Sequence, residues 1–190
     1  MSMFCYQCEQ AAMGTGCTKM GVCGKDPETA ALQDLLLYAT KGIGMYAHRA
    51  RQLNAIDPDV DHFVIEALFT TVTNVNFDVS RLAALVQRAA AIRNRAKALY
   101  EQACRKQGTT PETLAGPALW TPANDIAGLV AQGANLGILS RRSRQGDDVT
   151  GLQELLTYGL KGTAAYADHA WIEGREDKAV YAFFHEALDF

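Results

Sequence analysis

Residues 31–50, ALQDLLLYATKGIGMYAHRA, realign without a gap on residues 151–170, GLQELLTYGLKGTAAYADHA. Ten of the twenty positions are identical, where unrelated segments of ordinary composition would share roughly one or two. Within the first copy, apolar residues recur three and four apart at Leu32, Leu35, Leu36, Ala39, Ile43, Tyr46, Ala47 and Ala50, the stripe of an amphipathic helix. Asp26-Pro27-Glu28 starts it. Asp is a good N-cap, Pro suits the first helical position, and Glu complements the positive end of the helix dipole. At the same offset Val60, Phe63, Glu66, Ala67 and Leu68 meet Val180, Phe183, Glu186, Ala187 and Leu188, so the repeated unit is a helical hairpin.

Working outward, the pattern predicts helices over about 59–73, 79–106, 125–139, 149–172 and 176–189. Gly108, Pro111, Gly116, Pro117 and Pro122 make the stretch after the third helix a connector, and 140–148 reads as polar chain. No alternating strand pattern longer than four residues occurs, so the expected fold is all-α. The expected organisation is a cysteine-rich loop at 1–25, a first three-helix bundle at 26–107, a connector with a short helix at 108–148, and the start of a second bundle at 149–190. In the first copy a third helix follows the hairpin; its counterpart would begin after Phe190. A lone hairpin leaves much of its apolar stripe in water. The expectation is therefore a truncated second bundle in a piece of a longer polypeptide; the alternative is that helix 125–139 fills the place.

Four of the five cysteines fall in the first 23 residues, as C-x2-C-x8-C-x5-C: Cys5, Cys8, Cys17 and Cys23. The short first gap lets two sulfurs face one centre from a single turn, and the longer gaps let the chain wrap to two further corners. Gly14, Gly16, Gly21 and Gly24 permit the tight turns and bring backbone N–H groups toward the sulfurs. Ligand type alone suits iron–sulfur or zinc. The wide second pair favours iron–sulfur over a zinc knuckle, with zinc and disulfides left open. Cys104 stands alone on an apolar helical face and reads as a buried thiol.

The remaining signals are mostly exclusions. Net charge is −3, so no clustered positive field for nucleic acid is expected. No run of apolar residues is long enough to span a membrane, and MSMFCYQCEQ carries no secretory signal, so a cytoplasmic protein is expected. His48, His62, His169 and His185 read as surface or helix-capping residues rather than metal ligands. Tyr38, Tyr46, Tyr158 and Tyr166 read as core or bundle-interface residues. Gly42 and Gly162 read as points of close helix crossing, and Trp120 and Trp171 carry no reading of their own.

The segment 3–25, MFCYQCEQAAMGTGCTKMGVCGK, with DPETAALQDLLLYATKG at 26–42, LFTTVTNVNFD at 68–78 and LTYGLKGTAAYADHA at 156–170, closely resembles the N-terminus of the hybrid cluster proteins, also called hydroxylamine reductases. The resemblance implies that Cys5, Cys8, Cys17 and Cys23 hold a [4Fe–4S] cluster near the surface. A second subgroup holds a [2Fe–2S] cluster on longer gaps after the second and third cysteines; the x8 and x5 gaps here look like the [4Fe–4S] subgroup. It also implies a first domain of two three-helix bundles. A separate oxygen-containing hybrid cluster is implied in α/β domains beyond position 190, held by further cysteines, a histidine and glutamates. The implied activity is reduction of hydroxylamine to ammonia and, in some members, of nitric oxide to nitrous oxide. A redox donor protein would supply electrons to the cysteine site, which would pass them to the rest of the hybrid cluster protein. On that reading no catalytic residue lies in this chain. The rival readings are a stand-alone ferredoxin-like electron carrier and a zinc-stabilised interaction module.

Overall fold

The computed structural model describes residues 3–8 and 12–189. Met1, Ser2, Glu9, Gln10 and Ala11 of the expected cysteine loop, and Phe190 of the expected second bundle, lie outside the described residues. Among the described residues seven α-helices follow one another: α1 Pro27–Gln52, α2 Pro58–Thr70, α3 Val79–Gln107, α4 Ile126–Gly133, α5 Ile138–Gln145, α6 Asp147–Ile172 and α7 Lys178–Asp189. Among the described residues there is no β-sheet, only an isolated bridge between Cys5 and Cys17. The protein is all-α, as its periodicity requires. No described helix is long and apolar enough to cross a membrane.

Aspartates set the starts of α1 to α4. Asp26 accepts from the Thr29 N–H at 2.7 Å, Asp78 from the Arg81 N–H at 3.0 Å and Asp125 from the Gly128 N–H at 2.7 Å, each satisfying a backbone donor that the first turn leaves free. At the other end of α3, Gly108 takes φ 68°, a left-handed cap, with Arg105 and Lys106 in the last turn complementing the dipole.

α1 is the axis of the molecule: α2, α3, α4 and α7 all pack against it, and α6 lies along α2. One continuous apolar core runs through these helices, with Leu32, Leu35, Leu36, Ile43, Phe63, Leu82, Leu129, Leu160 and Phe184 almost wholly removed from water. Two sequence expectations are corrected here. The predicted helix 125–139 is two helices, α4 and α5, and the stretch expected to be polar chain is largely helical. Gly133 ends α4 against the Ala31 carbonyl, where a Cβ would collide, and the chain turns before resuming at Ile138. α4 rests on α1 and α3, so it does not serve α6 and α7 as a third bundle helix.

The two copies of the repeat differ in what covers them. Leu32 and Leu35 are fully buried, whereas Leu152 and Leu155 are 69% and 70% exposed; Tyr46 is buried and Tyr166 is 80% exposed. Of the two readings of Tyr166, core or bundle interface, its exposure rules out the core. In the first copy α3 and the connector lie over this face: Tyr46 packs on Tyr100 and donates to the Ala118 carbonyl at 3.5 Å. Among the described residues no equivalent segment lies over α6.

The glycines follow the same asymmetry. A Cβ on Gly42 would run into the Pro117 carbonyl, while one on Gly162 would meet nothing within 4 Å. In this chain Gly42→Ala should destabilise by about 1–3 kcal/mol through overpacking. Gly162→Ala should stabilise by up to about 1 kcal/mol through helix propensity. Urea unfolding of the two variants checks the pair, and equal effects would contradict the asymmetry.

Candidate metal centre

The cysteine loop sits on the N-terminal end of α1. Met3 and Cys17 are buried against Ala30, with Cys5 packed beside them. Two backbone hydrogen bonds clamp Cys5 to Cys17, N–H to carbonyl in each direction at 3.0 and 2.8 Å, and Met3 N–H donates to the Thr18 carbonyl at 3.1 Å. The four sequence-predicted ligands Cys5, Cys8, Cys17 and Cys23 all line one small cavity, with Gln7, Gly21, Val22, Lys25, Thr73 and Phe77 completing its wall. Cys17 is buried, Cys5 and Cys8 are half-buried, and Cys23 is exposed, so the site opens at the surface through Cys23.

Local chemistry explains the loop's glycines. A Cβ on Gly21 would lie 2.9 Å from the Cys23 sulfur, so a side chain there would push that thiol away. Gly16 has φ 136°, in the region L-residues avoid, and a Cβ there would lie 2.7 Å from the Phe4 ring. The far wall comes from the α2–α3 connector, which α1 holds in place. Gln33 donates to the Asn76 carbonyl at 2.9 Å and Thr29 to the Phe77 carbonyl at 3.5 Å.

The thiols line the cavity without meeting at one point: among the described residues, no three His, Cys, Asp or Glu side chains form a group that could hold an ion. The donor set nevertheless suits a cluster. All four of the cavity's potential anionic ligands are cysteines, and soft thiolates select iron–sulfur or zinc over harder ions. Cys104 lies elsewhere, 1% exposed within the α3 core.

Sequence reasoning missed the polar groups around the site. Lys25 and Lys161 are both buried beside the loop. Burial brings the Lys161 amine down to about 8, although Asp34 pulls it back up. Burial also pushes the Asp34 carboxyl up to about 6, against the pull of Lys161, Lys25 and Arg141. Tyr158 packs edge-on to Tyr6, itself edge-on to Phe4, and burial drives its phenol upward. The signal available in the sequence was the recurrence of Lys41 and Tyr38 as Lys161 and Tyr158.

Three of the four histidines sit on aromatic or acidic partners. His62 stacks on Trp171 with ring centroids 4.5 Å apart, and His169 meets Phe69 edge-on. His185 corrects the expectation of a surface or capping residue: it is fully buried, 2.7 Å from Asp61.

A helical chain with a four-cysteine loop at one end defines a candidate thiolate metal centre. Residues 3–190 match the Prismane/CO dehydrogenase family, and the chain belongs to that family. Among curated relatives it is 55% identical over 186 residues to a hydroxylamine reductase of Rhodospirillum rubrum and 54% identical over 190 residues to one of Geobacter sulfurreducens. It is 46% identical over 186 residues to one of Methanocella arvoryzae. These matches cover 98–99% of this chain and 34% of each relative, so the chain spans about a third of their length.

Proposed function

We propose that Cys5, Cys8, Cys17 and Cys23 bind an iron–sulfur cluster of the [4Fe–4S] type, and that this chain is the part of a hydroxylamine reductase through which electrons arrive. The observation carrying this reading is that all four thiols line a single cavity that reaches the surface at Cys23. Bound there, the cluster supplies one-electron transfer. The chain's own residues do the holding. The Cys5–Cys17 backbone clamp fixes two ligands relative to each other, Gly21 lets the Cys23 thiol fold inward, and Met3 and Ala30 shield the buried side. The exposed rim suits contact with a soluble redox donor protein.

The catalytic step itself, hydroxylamine to ammonia with nitric oxide to nitrous oxide as a further activity, is assigned to a hybrid cluster in the remainder of the longer protein. Cys104 is walled into the α3 core, away from the four-cysteine cavity. A cytoplasmic setting, which keeps thiols reduced for metal binding, fits this role. The test is anaerobic reconstitution with iron and sulfide. Visible absorbance that bleaches on reduction, with four irons per chain, is the expected result. Stoichiometric zinc with no visible absorbance overturns it in favour of a zinc-stabilised module. Hydroxylamine turnover by this chain alone overturns the assignment of catalysis to other residues.

A further inference from the structure

Two buried ammonium groups flank the cysteine cavity, and among the described residues neither has a carboxylate within ion-pair distance. Lys25 is 5% exposed, lines the cavity, and donates to Gln33 Oε1 at 3.1 Å. Lys161, 6% exposed, reaches the site from α6 and donates to the Thr71 carbonyl at 3.3 Å. With the Gln7 amide oriented to satisfy both its ends, Lys161 also donates to its oxygen at 3.2 Å, while the Gln7 nitrogen donates to the Thr71 carbonyl at 3.3 Å. Gln7 lies between Cys5 and Cys8 and faces the same cavity.

A buried ammonium is costly unless negative charge faces it. Among the described residues, the neighbouring acids do not supply a direct partner. Glu154 is paired with Arg141, and Asp34 acts on the two lysines only from beyond contact distance. The site's own four cysteines are a further source of negative charge: all line the cavity that Lys25 lines, and Lys161 bonds Gln7 between Cys5 and Cys8. We propose that Lys25 and Lys161 are the counter-charges of the four-cysteine site, and that Lys161 is a positioning residue that fastens the Cys5–Cys8 turn and raises the site's midpoint potential. Its equivalent in the first copy, Lys41, lies half-buried on α1 near Arg141 and Glu154, so the repeated lysine serves the cysteine loop only from the second copy.

The inference rests on the iron–sulfur reading. The step concerned is gain of one electron from a one-electron reductant, with no bond made or broken; a fixed cation favours the added negative charge. The experiment is a dithionite titration of the iron–sulfur-loaded protein and of Lys161→Met, Lys161→Gln and Lys161→Arg. At fixed potential the neutral variants should show about a tenfold lower ratio of reduced to oxidised site, equivalent to roughly 59 mV for a one-electron couple. Lys161→Arg should stay near the parent. A loaded Met or Gln variant with the parent's potential overturns the inference alone. If both neutral variants fail to load while the Arg variant loads, the charge is needed to assemble the site, which supports it. If the Arg variant fails as well, shape rather than charge governs, and the inference falls. A parent without iron–sulfur absorbance overturns the cluster reading, and this inference with it.

Discussion

Cys17→Ser should abolish the visible iron–sulfur absorbance of the reconstituted protein while leaving its helical circular dichroism in place. Cys17 is the most deeply buried of the four thiols, and both its backbone groups pair with Cys5. Serine preserves those backbone bonds and nearly the same volume. What changes is the donor: a hydroxyl is a hard oxygen ligand where the centre takes soft thiolate. The local core that Cys17 shares is small, limited to Met3, Ala30 and Cys5, whereas the main core runs through six of the seven helices without it. Loss of the centre and survival of the helices are therefore separable. Cys104→Ser supplies the opposite control: a hydroxyl buried in the α3 core should lower stability by about 1–3 kcal/mol and leave the absorbance unchanged. Cooperative loss of helix in Cys17→Ser would show that the loop nucleates the fold.

What could be read from the sequence divides along a physical line. Caps and stripes are local, so α1 is legible from Asp26-Pro27 and apolar spacing, and α3 from apolar spacing. Cysteine spacing is local too, and the four thiols do share one cavity. The failures needed partners distant in the chain. The break between α4 and α5 depends on Gly133 closing against the Ala31 carbonyl, about a hundred residues earlier. α5 reads as polar chain from its arginines alone, yet Arg141 pairs with Glu154, thirteen residues on in α6. The repeat made Leu32 and Leu152 look equivalent, but burial is set by what lies on top, and α3 lies over only one of the two copies. Lys161 was visible as a repeated residue, while its neighbours at the cysteine loop were not.

Asp61→Ala should be the most destabilising polar substitution in the molecule, by about 3–5 kcal/mol. Asp61 is 6% exposed and joins three helices: Arg51 of α1 at 2.5 Å and His185 of α7 at 2.7 Å both meet its carboxylate on α2. Removing it strands a guanidinium only 11% exposed, so the cost is the desolvation of an unpaired charge rather than the modest net worth of the pair. The contrast is Glu66→Ala, which breaks a half-exposed pair with Arg88 and should cost no more than about 1 kcal/mol. The pH dependence has a definite sign. Burial raises the Asp61 carboxyl, but the hydrogen bonds from His185 and Arg51 outweigh it and hold the group below its ordinary 3.8. Its contribution is therefore complete above that value and is lost as pH falls through the lowered folded value. Burial holds His185 below its ordinary 6.5, so the unfolded chain takes up that proton first and stability begins to fall as pH drops past 6.5. Urea midpoints at neutral and acid pH should show the gap between parent and Asp61→Ala narrowing in acid. Hydrogen exchange at neutral pH should locate the loosening in α7, because His185 is the residue through which that helix reaches Asp61. A neutral-pH penalty no larger than that of Glu66→Ala would show that the Asp61 contacts add little to the docking of α7.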